Sequence, residues 1–207
     1  MTAKKQDQPL GRMTPRQLDG SELFRIGSRE LGFDVHDFWS WSVSDLVSNA
    51  TRGILAEYIV AKASGVDTSR PRDEWAAVDL VTPEGVSIEV KSAAYIQSWH
   101  QDSYSKISFG VRKTLKWDPE TNQQGSEPER AADVYVFALL AHRDQATLDP
   151  LNLDQWEFYV LPTATLNDRK RSQHSITLLS LQRLNAGPYG FATLLDTVRS
   201  AAGGTGG

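Results

Sequence analysis

A mixed α/β fold, a sheet sandwiched by helices, is predicted by three features of this 207-residue chain. The run from Val134 to Leu140 is apolar at every position, as a strand covered on both faces must be. Residues 75–81 and 86–93 read as two strands joined by Pro83-Glu84-Gly85. Ahead of them, residues 44–63 carry apolar side chains at helical spacing and stop near Gly65.

Taken in order, residues 1–20 are polar and read as a flexible arm, 21–202 as a single domain, and 203–207 as a frayed glycine-rich tail. Phe33, Phe38, Trp39 and Trp41 crowd together and are expected to cap an edge of the core. Ser44-Asp45 supplies a helix start. Along the helix that follows, Val60, Gly53, Leu46, Glu57, Ala50, Ala61, Ile54, Val47 and Tyr58 fall on one arc. Glu57 is the only charge near its middle. A carboxylate there is costly unless a cation or hydrogen-bond donors meet it.

The three-residue turn sets the register of the hairpin. Thr82 faces Val86, Val81 faces Ser87, and Asp79 stands opposite Glu89 with Lys91 one pleat along. Val78, Leu80, Ile88 and Val90 then share the buried face. Further strands are expected at 106–111, 133–141 and 156–161, and short helices at 180–184 and 191–201.

Composition removes several classes of function. Forty per cent hydrophobic and 23% charged residues are ordinary for a globular protein. The absence of cysteine excludes disulfides and thiolate-bound zinc, and fits a cytoplasmic location. His36, His100, His142 and His174 show no zinc-motif spacing. No apolar run is long enough to span a bilayer, and no membrane partner is expected. A net charge of −4 argues against binding nucleic acid through bulk positive charge. The basic runs Lys106/Arg112/Lys113/Lys116 and Arg169/Lys170/Arg171 read, taken singly, as solvated loop charges.

An acid, nine residues and then Glu-x-Lys can build a site for a hard cation. Asp79 and Glu89 could supply two carboxylates to a magnesium ion without stripping its waters. Lys91 would bring an ammonium to the attacking water or the scissile phosphate. Glu57 could hold a metal-bound water or a second ion if its helix packs behind the hairpin.

In these residues, Glu57 on a helix, then Asp79, then Glu89-Val90-Lys91, the chain resembles the PD-(D/E)xK nuclease superfamily over roughly its residues 44–92, with Val78 in place of the motif's proline. The resemblance implies a restriction-endonuclease-like mixed β-sheet core flanked by α-helices. It implies magnesium (manganese substituting) bound by Asp79, Glu89 and the backbone carbonyl of Val90, with Lys91 and Glu57 as catalytic residues. It implies DNA as substrate, hydrolysed in restriction, repair or defence. A helix is expected after the Glu-x-Lys strand, at 94–104 or 127–132. Double-strand cutting would favour a homodimer. Residues 97–106 and 112–130 are candidate substrate loops. The alternatives are a catalytically silent DNA-binding or assembly module, and an unrelated domain whose charges form a surface ladder. The last predicts that Glu57 lies far from Asp79 and Glu89 or is neutralised by a basic side chain.

Overall fold

The computed structural model describes residues 10–170 and 172–203. The first nine residues of the expected arm, Arg171 of the second basic run and the last four residues of the tail lie outside them. The chain order is β1 (Leu23–Ile26), β2 (Arg29–Asp34), α1 (Val35–Val43), α2 (Asn49–Ala63), β3 (Leu80–Val81), β4 (Ser87–Ala94), β5 (Ser108–Gly110), β6 (Thr114–Asp118) and β7 (Gln123–Glu129). There follow β8 (Val134–Leu140), β9 (Trp156–Pro162), α3 (Thr163–Asp168), β10 (Ser175–Thr177), α4 (Leu178–Arg183) and α5 (Leu194–Gly203).

The central sheet has the order β3-β4-β8-β9, with β4 and β8 parallel and both edge pairings antiparallel. As its apolar run predicts, β8 is an inner strand buried at every position. Its even-numbered residues join Ile88, Val90, Phe158 and Val160 against Ala56, Ile59 and Val60 of α2 and Leu194 and Val198 of α5. Its odd-numbered residues, Tyr135, Phe137 and Leu139, pack with Phe109 of β5, Ile176 of β10, Leu166 of α3 and Leu181 of α4. A fully buried Leu or Phe contributes roughly 1.5–3 kcal/mol. The mixed α/β layering is therefore built around β8.

The hairpin register follows from the turn. Leu80 pairs with Ile88 and Val81 with Ser87. Thr82 N–H donates to the Val86 carbonyl at 2.9 Å, and Gly85 N–H to the Thr82 carbonyl at 2.9 Å. Gly85 takes φ +88°, which the turn needs and a side chain disfavours.

Six expectations need correction. The strand expected at 75–81 is paired only at Leu80–Val81, because Asp73 folds the preceding segment into a turn through its bonds to Trp75 and Ala76. Val78 consequently packs with the Tyr135 cluster, not with Leu80, Ile88 and Val90. The helix expected from Ser44 begins at Asn49. The Asp45 carboxylate accepts from both Val47 N–H and Ser48 N–H at 3.1 Å and holds residues 45–48 in a turn. The buried face of α2 is Arg52, Ala56, Ile59 and Val60, with Ala61 buried at its margin, while Ile54 and Tyr58 are exposed. Glu57 thus sits on the margin of the apolar stripe rather than at its middle.

The aromatic residues do not cap the core. A capping box between Asp34 and Asp37 starts α1 as a separate helix with no buried residue, leaving Phe33, Phe38, Trp39 and Trp41 exposed. The connection from β4 to parallel β8 contains no helix either. Residues 94–104 end β4 and run on as a loop, while 127–129 are the end of β7, so β5, β6 and β7 make the crossover.

Gly187 is the glycine whose replacement should cost most. Its φ is +152°, and a Cβ there would meet the Phe158 carbonyl oxygen at 2.6 Å. Gly187→Ala is expected to destabilise the protein by about 2–3 kcal/mol, through backbone strain and overpacking together. Urea unfolding of the two proteins measures this; an unchanged midpoint would show that the backbone yields at no cost.

Candidate active site

Asp79, Glu89 and Lys91 meet at the open end of the β3–β4 pairing. The ladder stops at Leu80, and the Asp79 side chain takes over where backbone pairing ends: its carboxylate accepts from Val90 N–H at 2.7 Å. In a strand the N–H and C=O of one residue leave toward the same side. The Val90 carbonyl therefore faces the edge on which Asp79 lies. Glu89 and Lys91 project from the same face of β4 and form an ion pair with each other.

Glu57 reaches this edge from α2. It lines a cleft of about 380 Å³ together with Asp79, Tyr58, Arg70, Arg72 and Leu80. Its side chain is 18% exposed and is held by Arg72, whose Nε and Nη2 donate at 3.0 and 3.4 Å. Glu57 is thus both neighbour to Asp79 and paired with a basic side chain.

The electrostatics converge on Asp79. Burial pushes the Glu57 carboxyl above its ordinary value and the Asp79 charge adds to the rise, against the pull of Arg72 and Lys91. Burial likewise raises Glu89, again helped by Asp79 and opposed by Lys91. Tyr135, across the β4–β8 ladder from Glu89, is pushed up to about 12 by burial and then by the charge of Glu89, with Asp79 adding to it. Carboxyls whose proton affinity is raised by burial and by a neighbouring carboxylate are what a bound cation relieves.

Among the described residues, the acids brought within 4.8 Å of one another as a group of three with histidine are Asp34, His36 and Asp37. The Asp34–Asp37 capping box accounts for that group. The oxygens of Glu57, Asp79 and Glu89 are more widely spread. Asp79, Glu89 and the Val90 carbonyl could offer oxygen donors to a hard cation that keeps some of its waters.

Three residues were not anticipated. Arg72 lies in the charged segment 70–74 and gives no local signal. Tyr135 is hidden within the apolar run of β8. Arg52 is a buried guanidinium that donates to the Val47 carbonyl at 2.7 Å, Asn49 Oδ1 at 2.6 Å, Gln97 Oε1 at 3.2 Å and Ser92 Oγ at 3.3 Å. It ties the turn before α2 to β4 and to the loop beyond it. A charged residue at a buried position of α2 was its one available signal, and the mistaken centring of the stripe on Glu57 obscured it.

The raised carboxyls fix a pH dependence. Glu57 and Glu89 hold protons more tightly folded than unfolded, so the folded state gains stability as pH falls from neutral toward the folded-state values. That gain is complete below the unfolded-state values and absent well above the folded ones. In metal-free buffer, Glu89→Gln should flatten this part of the melting-temperature profile. A profile that keeps its slope in the variant would assign it to other groups.

A mixed α/β protein with acids and a lysine gathered at the free end of a sheet hairpin is the class that fold and site define. Residues 38–179 match the family model of bacteriophage T4 endonuclease IV, and the chain belongs to that family, a nuclease family. The match contains Glu57, Asp79, Glu89 and Lys91. No curated protein matches the chain. Among the described residues, no helix is long and apolar enough to cross a membrane.

Proposed function

We propose that the protein is a magnesium-dependent DNA endonuclease with a site of the PD-(D/E)xK type, manganese serving in place of magnesium. The observation that carries this reading is the Asp79–Val90 hydrogen bond, which sets Asp79 beside the Glu89–Lys91 pair in a member of an endonuclease family. Asp79, Glu89 and the Val90 carbonyl would hold the ion. When bound, it would supply Lewis-acid stabilisation of the phosphoryl oxygens and a lowered pKa for a bound water. Lys91 offsets charge developing on the scissile phosphate. Glu57 orients a water from the cleft side, and Arg72 holds Glu57 until substrate enters.

The Glu57–Arg72 pair is what an unrelated domain with a surface charge ladder predicts, but membership of an endonuclease family speaks against that alternative and leaves a silent DNA-binding or assembly module as the second reading. A panel of duplex, nicked, flap, junction and single-stranded DNA, incubated with magnesium and with EDTA, separates the two. Metal-dependent products on any member support the enzyme; binding without products on all of them supports the module.

A homodimer belongs to the same proposal. On β1, β2 and α1, Leu23, Phe24, Ile26, Phe33, Phe38, Trp39, Trp41 and Val43 are all exposed, Trp41 at 85%. At 150–250 Å² per aromatic ring, these side chains offer on the order of 800 Å², one partner's share of a standard interface. Acids outnumber arginines on this unit, which disfavours DNA as its cover. Light scattering after size exclusion should give twice the chain mass, reduced to one by Trp41→Glu/Phe38→Glu. A monomer at tens of micromolar, before any substitution, would rule the dimer out.

A further inference from the structure

We propose that the cavity beyond the carboxyl end of β4 is a nucleobase-stacking subsite that takes one unstacked base of the DNA being cut. The inference rests on the nuclease reading and names the part of the substrate that reading leaves open. The cavity has a volume of about 710 Å³ and is lined by Trp99, Tyr104, Arg143, Gln97 and Gln101, among others. It opens where the parallel strands β4 and β8 end, the side on which open α/β sheets bind ligands.

Its chemistry suits a base with an attached phosphate. Trp99 and Tyr104 are 55% and 53% exposed at the cavity, offering flat apolar faces. The Arg143 guanidinium stacks at 4.0 Å from the Tyr95 ring centre and lies 5.9 Å from that of Tyr104. No described residue forms an ion pair with it or accepts a hydrogen bond from its side chain. Its N–H fork therefore remains available to a phosphate or a base edge. Rings with a stacked arginine are how proteins hold unpaired bases.

The walls are fixed in advance. Gln97 Nε2 donates to the Ala94 carbonyl at 2.8 Å and to Ser105 Oγ at 3.0 Å. Gln101 Oε1 accepts from Gln97 N–H at 2.7 Å, and Tyr104 O–H donates to the Arg143 carbonyl at 2.7 Å. The amides are thus occupied in holding the loop, so the subsite binds by stacking and tolerates different bases. Ala93 and, just past the end of β4, Tyr95 pack on the side of the sheet that carries Glu89 and Lys91, and the cavity begins five residues past Lys91, at most about 16 Å away. A strand cut at Lys91 would place in it a base a few nucleotides away.

A paired base presents neither face to such rings, so the ligand is a base in a single strand or one extruded from a duplex. The test reads binding, not cutting. Lys91→Ala protein, with and without Trp99→Ala/Tyr104→Ala, is titrated into three labelled oligonucleotides in a fluorescence-anisotropy assay. They are a single strand, a fully paired duplex and a duplex with one unpaired nucleotide. Stacking on rings predicts that the added pair of substitutions weakens binding of at least one unpaired probe by roughly 5- to 150-fold. Binding of the paired duplex should change by less than about twofold. Loss on the single strand alone, or on the bulged duplex alone, identifies the source of the base. Trp99→Phe/Tyr104→Phe, which keeps the rings, should restore most of the affinity and controls for folding. Equal affinities in both proteins, an equal loss on all three probes, or no binding of any probe overturns the subsite. Cleavage by the unaltered protein is read separately, so failure of the nuclease reading is distinguishable from failure of the subsite.

Discussion

Asp79→Asn should reduce DNA cleavage on the order of 10³-fold, the several kcal/mol that a lost Lewis-acid site represents. The substitution leaves an amide oxygen able to accept from Val90 N–H, so the local backbone is kept. It removes the charge that raises the carboxyls of Glu57 and Glu89. The fold should therefore melt no lower than the parent at neutral pH, since three crowded acids become two. Asp79→Ala removes acceptor and charge together and should lose activity with some stability. Cleavage assays beside thermal melts distinguish these outcomes. Activity surviving in Asp79→Asn would remove Asp79 from the chemistry.

Arg52→Ala should be the most damaging substitution to the fold near the site. Four acceptors on the turn, on α2, on β4 and on the loop beyond it lose one buried guanidinium. Burial already disfavours its charge, with Asp45 partly compensating. The hydrogen bonds outweigh that cost, and orphaned buried acceptors each carry a penalty of about 1–3 kcal/mol. A net loss of about 3 kcal/mol is expected, lowering the melting temperature by roughly 6–12 °C for a chain of this size. Arg52→Lys should not rescue it, because one ammonium cannot match a planar fork with several fixed partners. A melting temperature within 2 °C of the parent, about the shift of 1 kcal/mol or less, would show that the turn and loop hold without it.

Local chemistry made the hairpin legible. Pro83-Glu84-Gly85 sets a register that a one-residue slip would invert, and the apolar run of β8 admits little but an inner strand. The proximity of Asp79, Glu89 and Lys91 follows from that register. Glu57 was harder to place. Helical periodicity alone does not reveal that Asp45 breaks the helix at Ser48, nor that a charged Arg52 belongs to the buried face. The exposed rings of β2 and α1 do not reveal their role in the sequence, because hydrophobicity marks surfaces that seek a partner as readily as surfaces that seek a core. Arg72 and the cavity beyond β4 depend on long-range placement of loops, which leaves no periodic trace in the sequence.

The most direct measurement of the central claim is cleavage of supercoiled plasmid as magnesium is titrated, with the parent protein, Asp79→Asn and Lys91→Ala in parallel. The parent should convert plasmid to nicked and linear forms with saturable dependence on magnesium, recover with manganese and stop with EDTA, while both variants leave it supercoiled. Intact plasmid with the parent at every metal concentration, or equal cutting by the parent and either variant, would contradict it.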